Sequence, residues 1–135
     1  MVKAIVGLKG SGKTKQLIDS INTAIKTESG SMVCIEKGTK LRYDIDIRVR
    51  LIDYQEYMMG SLPFLKGFIS GLHAGNFDIT NVFIDNLYKT IGQDQAANEA
   101  FVEWVAKFAQ ENNMEITMTI SADPAAASEA MKQYL

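Results

Sequence analysis

The residues best equipped for chemistry form one stretch, Gly7-Leu8-Lys9-Gly10-Ser11-Gly12-Lys13-Thr14. It fits the pattern G-x-x-x-x-G-K-[ST] at each fixed position. Glycines in such a loop let consecutive backbone N–H groups turn inward on a phosphate chain. A helix starting at the end of the loop adds the positive end of its dipole. The Lys13 ammonium has the reach to neutralise β- and γ-phosphates, and the Thr14 hydroxyl is a suitable Mg²⁺ ligand. Lys9, Gly10, Ser11, Gly12, Lys13 and Thr14 are therefore the candidate nucleotide-binding residues. The metal partner of such a loop is an acid at the end of an apolar strand. The run Val82-Phe83-Ile84 ends in Asp85, which joins Thr14 as a candidate metal ligand.

These residues need a strand, a turn and a helix in that order, and the local sequence offers them. Val2–Val6 is a short apolar, β-branched run suited to a buried strand. Lys15–Lys26 carries Leu17, Ile18, Ile21, Ala24 and Ile25 at helical spacing, and Glu28-Ser29-Gly30-Ser31 is its stop. Met32–Ile35 is a second buried strand, followed by the polar turn Glu36–Lys40. From residue 45 to 52 the pattern changes. Ile45, Ile47, Val49 and Leu51 alternate with Asp46, Arg48 and Arg50, which predicts a half-exposed antiparallel or edge strand with the arginines on a solvated face.

Further on, Ser61–Ala74 reads as a helix, with Ser61 as N-cap and Pro63 in the first turn. Gly67 and Gly71, one turn apart, suit a close neighbour, and His73 suits the helix C-terminus. Residues 81–85 form the strand that carries Asp85. Asp94–Gln110 is an amphipathic helix with Trp104 in its core-facing stripe and Glu103 four residues before Lys107. Met114–Ser121 is a strand with alternating Thr117, Thr119 and Ser121. Asp123-Pro124 opens an Ala-rich helix that runs to Leu135.

Composition bounds the partners. The 135 residues suit a single domain, 1–135, and the 47% apolar and 22% charged fractions are those of an ordinary globular protein. A net charge of −2 offers no broad footprint for nucleic acid or membrane. Lys9 and Lys13 lie in the loop itself, which suits a compact anion. Cys34 is the only cysteine, so no disulfide framework or cysteine-rich zinc site is available, and a reducing, cytoplasmic setting is expected.

Gly7–Thr14 and Val82–Asp85 together resemble the P-loop NTPase superfamily, and the strand–helix alternation extends the likeness over the chain. More narrowly, the opening G-x-K-G-S-G-K-T, the hydrophobic run to Asp and Ile120-Ser121-Ala122-Asp123-Pro124 resemble small stand-alone bacterial P-loop proteins, ATPase-like and of unknown function. The resemblance implies a three-layer α/β fold with a mainly parallel sheet and nucleotide at the C-terminal ends of its strands. In the RecA-like branch, the strand after the Walker B acid inserts between the Walker A and B strands. Its polar tip, Thr119 or Ser121 here, senses the γ-phosphate. Many hydrolysing members of that branch place Glu directly after the acid, whereas this chain has Asn86. An amide orients water without accepting its proton. Asn86 thus joins Lys13 as a candidate catalytic residue, but fast hydrolysis is not expected. Glu36 and Asp123 are the other acids near strand ends.

No N-K-x-D element for reading guanine is present, and the only arginines are Arg42, Arg48 and Arg50. The leading reading is an ATP–Mg²⁺-binding protein that hydrolyses slowly or when activated by a partner protein or a second copy. The alternatives are a non-catalytic module in which nucleotide orders residues 86–95, and a small-molecule phosphotransferase.

Overall fold

Among the described residues five segments build the sheet, four of them largely apolar. In the computed structural model, which describes residues 1–57, 60–86 and 94–135, they are β1 (Val2–Gly7), β2 (Ser31–Glu36), β3 (Arg50–Asp53), β4 (Ile79–Ile84) and β5 (Glu115–Ser121). All pairings are parallel, in the order β1-β5-β4-β2-β3. β5 thus lies between the strand leading into Gly7–Thr14 and the strand leading into Asp85. The register matches Gly7 with Ser121 and Ile84 with Met118. This places the strand ends that carry the candidate residues along one edge of the sheet.

Helices cover both faces. α1 (Lys13–Thr27) lies on one, where Leu17, Ile21 and Ile25 pack with Met32, Cys34 and Phe83. The other face packs against α2 (Leu62–Gly75), α3 (Gln95–Glu111) and the short α4 (Glu129–Lys132). Leu65, Ile69, Phe101 and Val105 are buried there against Ile35, Ile84, Ile116 and Met118. The result is the expected three-layer α/β arrangement. Strands buried on both faces read as continuous apolar runs, which is why β2 and β4 were conspicuous in the sequence. Cys34 is fully buried, and burial pushes its thiol well above its ordinary range.

Several local expectations are corrected. The strand expected over 45–52 is only Arg50–Asp53; it lies at the sheet edge, as one of the two expected alternatives had it, and its pairing is parallel, not antiparallel. Leu41, Ile45 and Val49, four residues apart, are buried together against the α1 layer, while Ile47 is 98% exposed. The Asn22 side chain fixes this connection, donating to the Asp44 carbonyl at 2.9 Å and accepting from the Asp46 N–H at 3.3 Å. The arginines remain at the surface, with Arg48 paired to Asp46 at 3.0 Å.

The C-terminal segment is not one helix. Pro124–Ala126 is a 3₁₀ turn, Ala127 is extended, and Ser128 caps a new start by accepting from the Met131 N–H at 3.2 Å. That break lets Met131 bury itself and brings the Tyr134 carbonyl within 2.6 Å of the Ala4 N–H on β1. On α2, a Cβ built at Gly67 or Gly71 meets nothing within 4 Å from another element among the described residues, so no described neighbour approaches there. His73 lies in the last turn of α2 as expected, packs edge-on to Phe77 and Phe108, and has its Nδ1 buried without a hydrogen bond from the described residues. Trp104 stacks between Phe101 and Phe108, as a core-facing residue should. Lys107 meets Glu111, not Glu103.

Candidate functional site

β1 ends at Gly7, and the chain turns through residues 8–12 before α1 begins at Lys13. Two features make the turn tight. Gly10 and Gly12 adopt φ of 84° and 88°, conformations that L side chains rarely take. At Gly7, a Cβ would collide with the Ser11 Oγ that folds back over it. The Leu8 carbonyl anchors the loop, accepting from the Ser11 N–H at 3.1 Å and from Lys13 Nζ at 3.0 Å. Lys13 is 7% exposed, so its ammonium is held against the loop and does not trail in solvent.

The start of α1 differs from the other described α-helix starts. Ser61, Asp94 and Ser128 cap α2, α3 and α4 by accepting from backbone N–H groups. Gly12, the residue before α1, supplies no such acceptor. The donors of the first turn of α1 therefore have no side-chain cap, as an anion site at a helix N-terminus requires.

Across the sheet edge, Asp85 follows β4 directly, its N–H donating to the Ile35 carbonyl at 2.9 Å. Two hydroxyls converge on its Oδ1. Thr119 Oγ1 donates to it at 2.6 Å and Thr14 Oγ1 at 3.5 Å. The Asn86 N–H in turn donates to Thr119 Oγ1 at 2.7 Å, and Ser121 Oγ donates to Asn86 Oδ1 at 3.3 Å. Asn86 has φ of 54°, a left-handed conformation that asparagine tolerates better than most residues. Lys13, Thr14, Asp85 and Asn86 are thus brought to one edge, with Lys9, Gly10, Ser11 and Gly12 forming the loop beside them. The sequence had marked Thr119 only as a strand-tip polar group. Its direct bond to Asp85 depends on β5 lying next to β4, which alternation alone does not reveal.

The two other acids near strand ends have local tasks. Glu36 is 3% exposed and accepts from the Lys40 and Leu41 N–H groups at 3.2 and 2.9 Å, capping a 3₁₀ turn. Asp123 accepts from the Ala125 N–H at 3.0 Å. Burial pushes the Glu36 carboxyl above its ordinary 4.5; the Leu41 and Lys40 N–H groups oppose the shift, and the charges of Asp85 and Asp53 add to it. A folded carboxyl that holds its proton more tightly than the unfolded one contributes stability below about 4.5 and loses that contribution as pH rises through the folded value. The stability of wild type relative to Glu36→Gln should therefore fall as pH rises from 4.5 to neutrality. Urea midpoints measured over that range check it, and a pH-independent difference would contradict it.

Among the described residues no cluster of three or more His, Cys, Asp or Glu side chains is present, so no all-protein metal cage is built. A hydroxyl paired with one carboxylate is a different kind of site. Mg²⁺ keeps several waters and takes one or two protein groups plus phosphate oxygens. Thr14 and Asp85 fit that requirement. No described helix is long and apolar enough to cross a membrane. Compared with protein-family models and with curated proteins, the chain matches none.

Proposed function

We propose that the chain binds ATP with Mg²⁺ through Gly7–Thr14 and Asp85, and that it hydrolyses the nucleotide slowly or when a partner completes the site. The observation that carries this reading is the meeting of two separate sequence signals at one sheet edge. The glycine loop opens an α-helix that has no side-chain cap, and the first-turn hydroxyl of that helix points to the acid ending β4.

In this reading the uncapped first turn of α1 and the loop N–H groups hold the β- and γ-phosphates. Lys13 exchanges the Leu8 carbonyl for phosphate oxygen, a stronger, charge-assisted acceptor. Thr14 supplies a hydroxyl oxygen to the ion, and its proton already faces Asp85. Thr14 and Asp85 would hold the Mg²⁺ ion, whose contribution would be neutralisation of phosphate charge. Asn86 orients a water without deprotonating it, and the Glu36 and Asp123 carboxylates are engaged with backbone donors. Slow turnover follows from that arrangement. Calorimetric titration of the protein with ATP and Mg²⁺ tests the reading: one saturable site is expected, and no binding at millimolar ATP would overturn it.

The engagement of Glu36 and Asp123 with backbone donors also favours a second reading, in which nucleotide binding serves a protein partner and no phosphate is released. The segment 86–95 would carry that response; residues 87–93 lie outside the described residues. A phosphate-release assay over hours separates the two.

A further inference from the structure

The one polar side chain among the described residues that is wholly inaccessible to solvent is Thr119, at 0% exposure in the middle layer of the fold. A buried hydroxyl persists only where its hydrogen bonds are satisfied, and here the direction of each bond is fixed. The Asn86 backbone N–H can only donate, so Thr119 Oγ1 accepts from it at 2.7 Å. The single hydroxyl proton is then left for Asp85 Oδ1, at 2.6 Å. Thr14 Oγ1 reaches the same oxygen from farther away, at 3.5 Å. No hydrogen bond from the described residues reaches Oδ2. The two carboxylate oxygens are therefore inequivalent among the described residues: one is occupied from β5 and α1, and the other receives no hydrogen bond from them. The β-branched side chain adds rigidity, because threonine on a strand has few χ1 choices.

We propose that Thr119 is a positioning residue for Asp85, fixing Oδ1 so that Oδ2 faces the ion and its water shell, and tying that orientation to the left-handed turn at Asn86. The inference rests on the ATP–Mg²⁺ reading. It differs from a phosphate-sensing role for the tip of β5, because the Thr119 hydroxyl is spent on Asp85 and Asn86. Orientation of a ligand by an outer partner typically matters about 10- to 100-fold in metal affinity.

The consequence is a split that a purely structural role would not produce. ATP without Mg²⁺ depends on the loop and Lys13, so Thr119→Val should bind it within about twofold of wild type. The tightening of ATP binding on adding Mg²⁺ should shrink about tenfold or more in Thr119→Val and return in Thr119→Ser, which keeps the hydroxyl. The measurement is calorimetric titration with ATP in EDTA and in Mg²⁺ for wild type, Thr119→Val, Thr119→Ser and Lys13→Ala. Wild-type Mg²⁺ enhancement in Thr119→Val would overturn the proposal. ATP binding with a Lys13 dependence but no Mg²⁺ enhancement in wild type would also overturn it while leaving the loop assignment intact. No ATP binding by wild type would remove the parent reading and this inference with it. Should Thr119→Val fail to fold, the wild-type Asn86 amide is read by NMR with ATP. Its signal should move when Mg²⁺ is added to the ATP complex, and an unmoved signal would overturn the coupling.

Discussion

Replacing Lys13 by alanine should weaken ATP binding about hundredfold while leaving the fold in place. Lys13 begins α1, and alanine is an excellent helix former, so the exchange does not threaten the helix. The ammonium donates to one backbone carbonyl, Leu8 at 3.0 Å, and Ser11 N–H continues to satisfy that carbonyl when the side chain is removed. The loop therefore retains its geometry. With phosphate present, the same ammonium makes charge-assisted bonds worth about 1.5–3 kcal/mol. At about 1.4 kcal/mol per tenfold change, the upper half of that range is the expected loss. Lys13→Arg keeps the charge, but its fork is too broad to sit against Leu8 in the same way, so partial recovery is expected. The comparison is calorimetric, with circular dichroism and a urea midpoint confirming the fold of each variant. Unchanged affinity in folded Lys13→Ala would place the nucleotide elsewhere.

The glycine loop was legible because its determinants are local. Positive φ, a close approach at Gly7 and a Lys-Thr pair all lie within eight residues. Asp85 was legible because β4 is buried on both faces and reads as an uninterrupted apolar run. What escaped the sequence depends on distance along the chain. The Thr119–Asp85 bond spans 34 residues and exists only because β5 inserts between β1 and β4.

The connection before β3 escaped for a different reason. Ile45, Ile47 and Val49 alternate as a strand would, but a four-residue spacing joins Leu41, Ile45 and Val49 equally well. The packing against α1 selects the latter pattern. Alanine propensity favoured a continuous C-terminal helix. The cap at Ser128, together with the burial of Met131, outweighed it, since propensity is worth only tenths of a kcal/mol per residue. Glu36 looked like an available acid because the backbone donors it caps, at Lys40 and Leu41, come from a turn whose shape the sequence did not specify.

Phe101→Ala should be the most damaging single substitution for stability. Phe101 is 1% exposed and stands among the largest fully buried side chains. It projects from α3 into the layer that also contains Ile116, Met118 and Ile120 of β5, and it stacks on Trp104 at 6.3 Å between ring centroids. Removing a buried phenyl ring costs about 3–5 kcal/mol, the transfer energy of the lost atoms plus the cavity left behind. Domains of this kind are stable by about 5–15 kcal/mol, so about a fifth or more of the total is at stake. Phe64→Ala provides the control. Phe64 is 48% exposed on the outer side of α2, and its removal should change stability by no more than about 0.5 kcal/mol. Urea unfolding of the three proteins measures the difference, and equal midpoints for Phe101→Ala and Phe64→Ala would contradict the three-layer packing. The same loss bears on the site. The Thr119–Asp85 bond depends on β5 holding its place beside β4, and α3 presses β5 from the opposite face. A cavity beneath β5 should therefore weaken the Mg²⁺ enhancement of ATP binding, although no atom of Phe101 reaches the site.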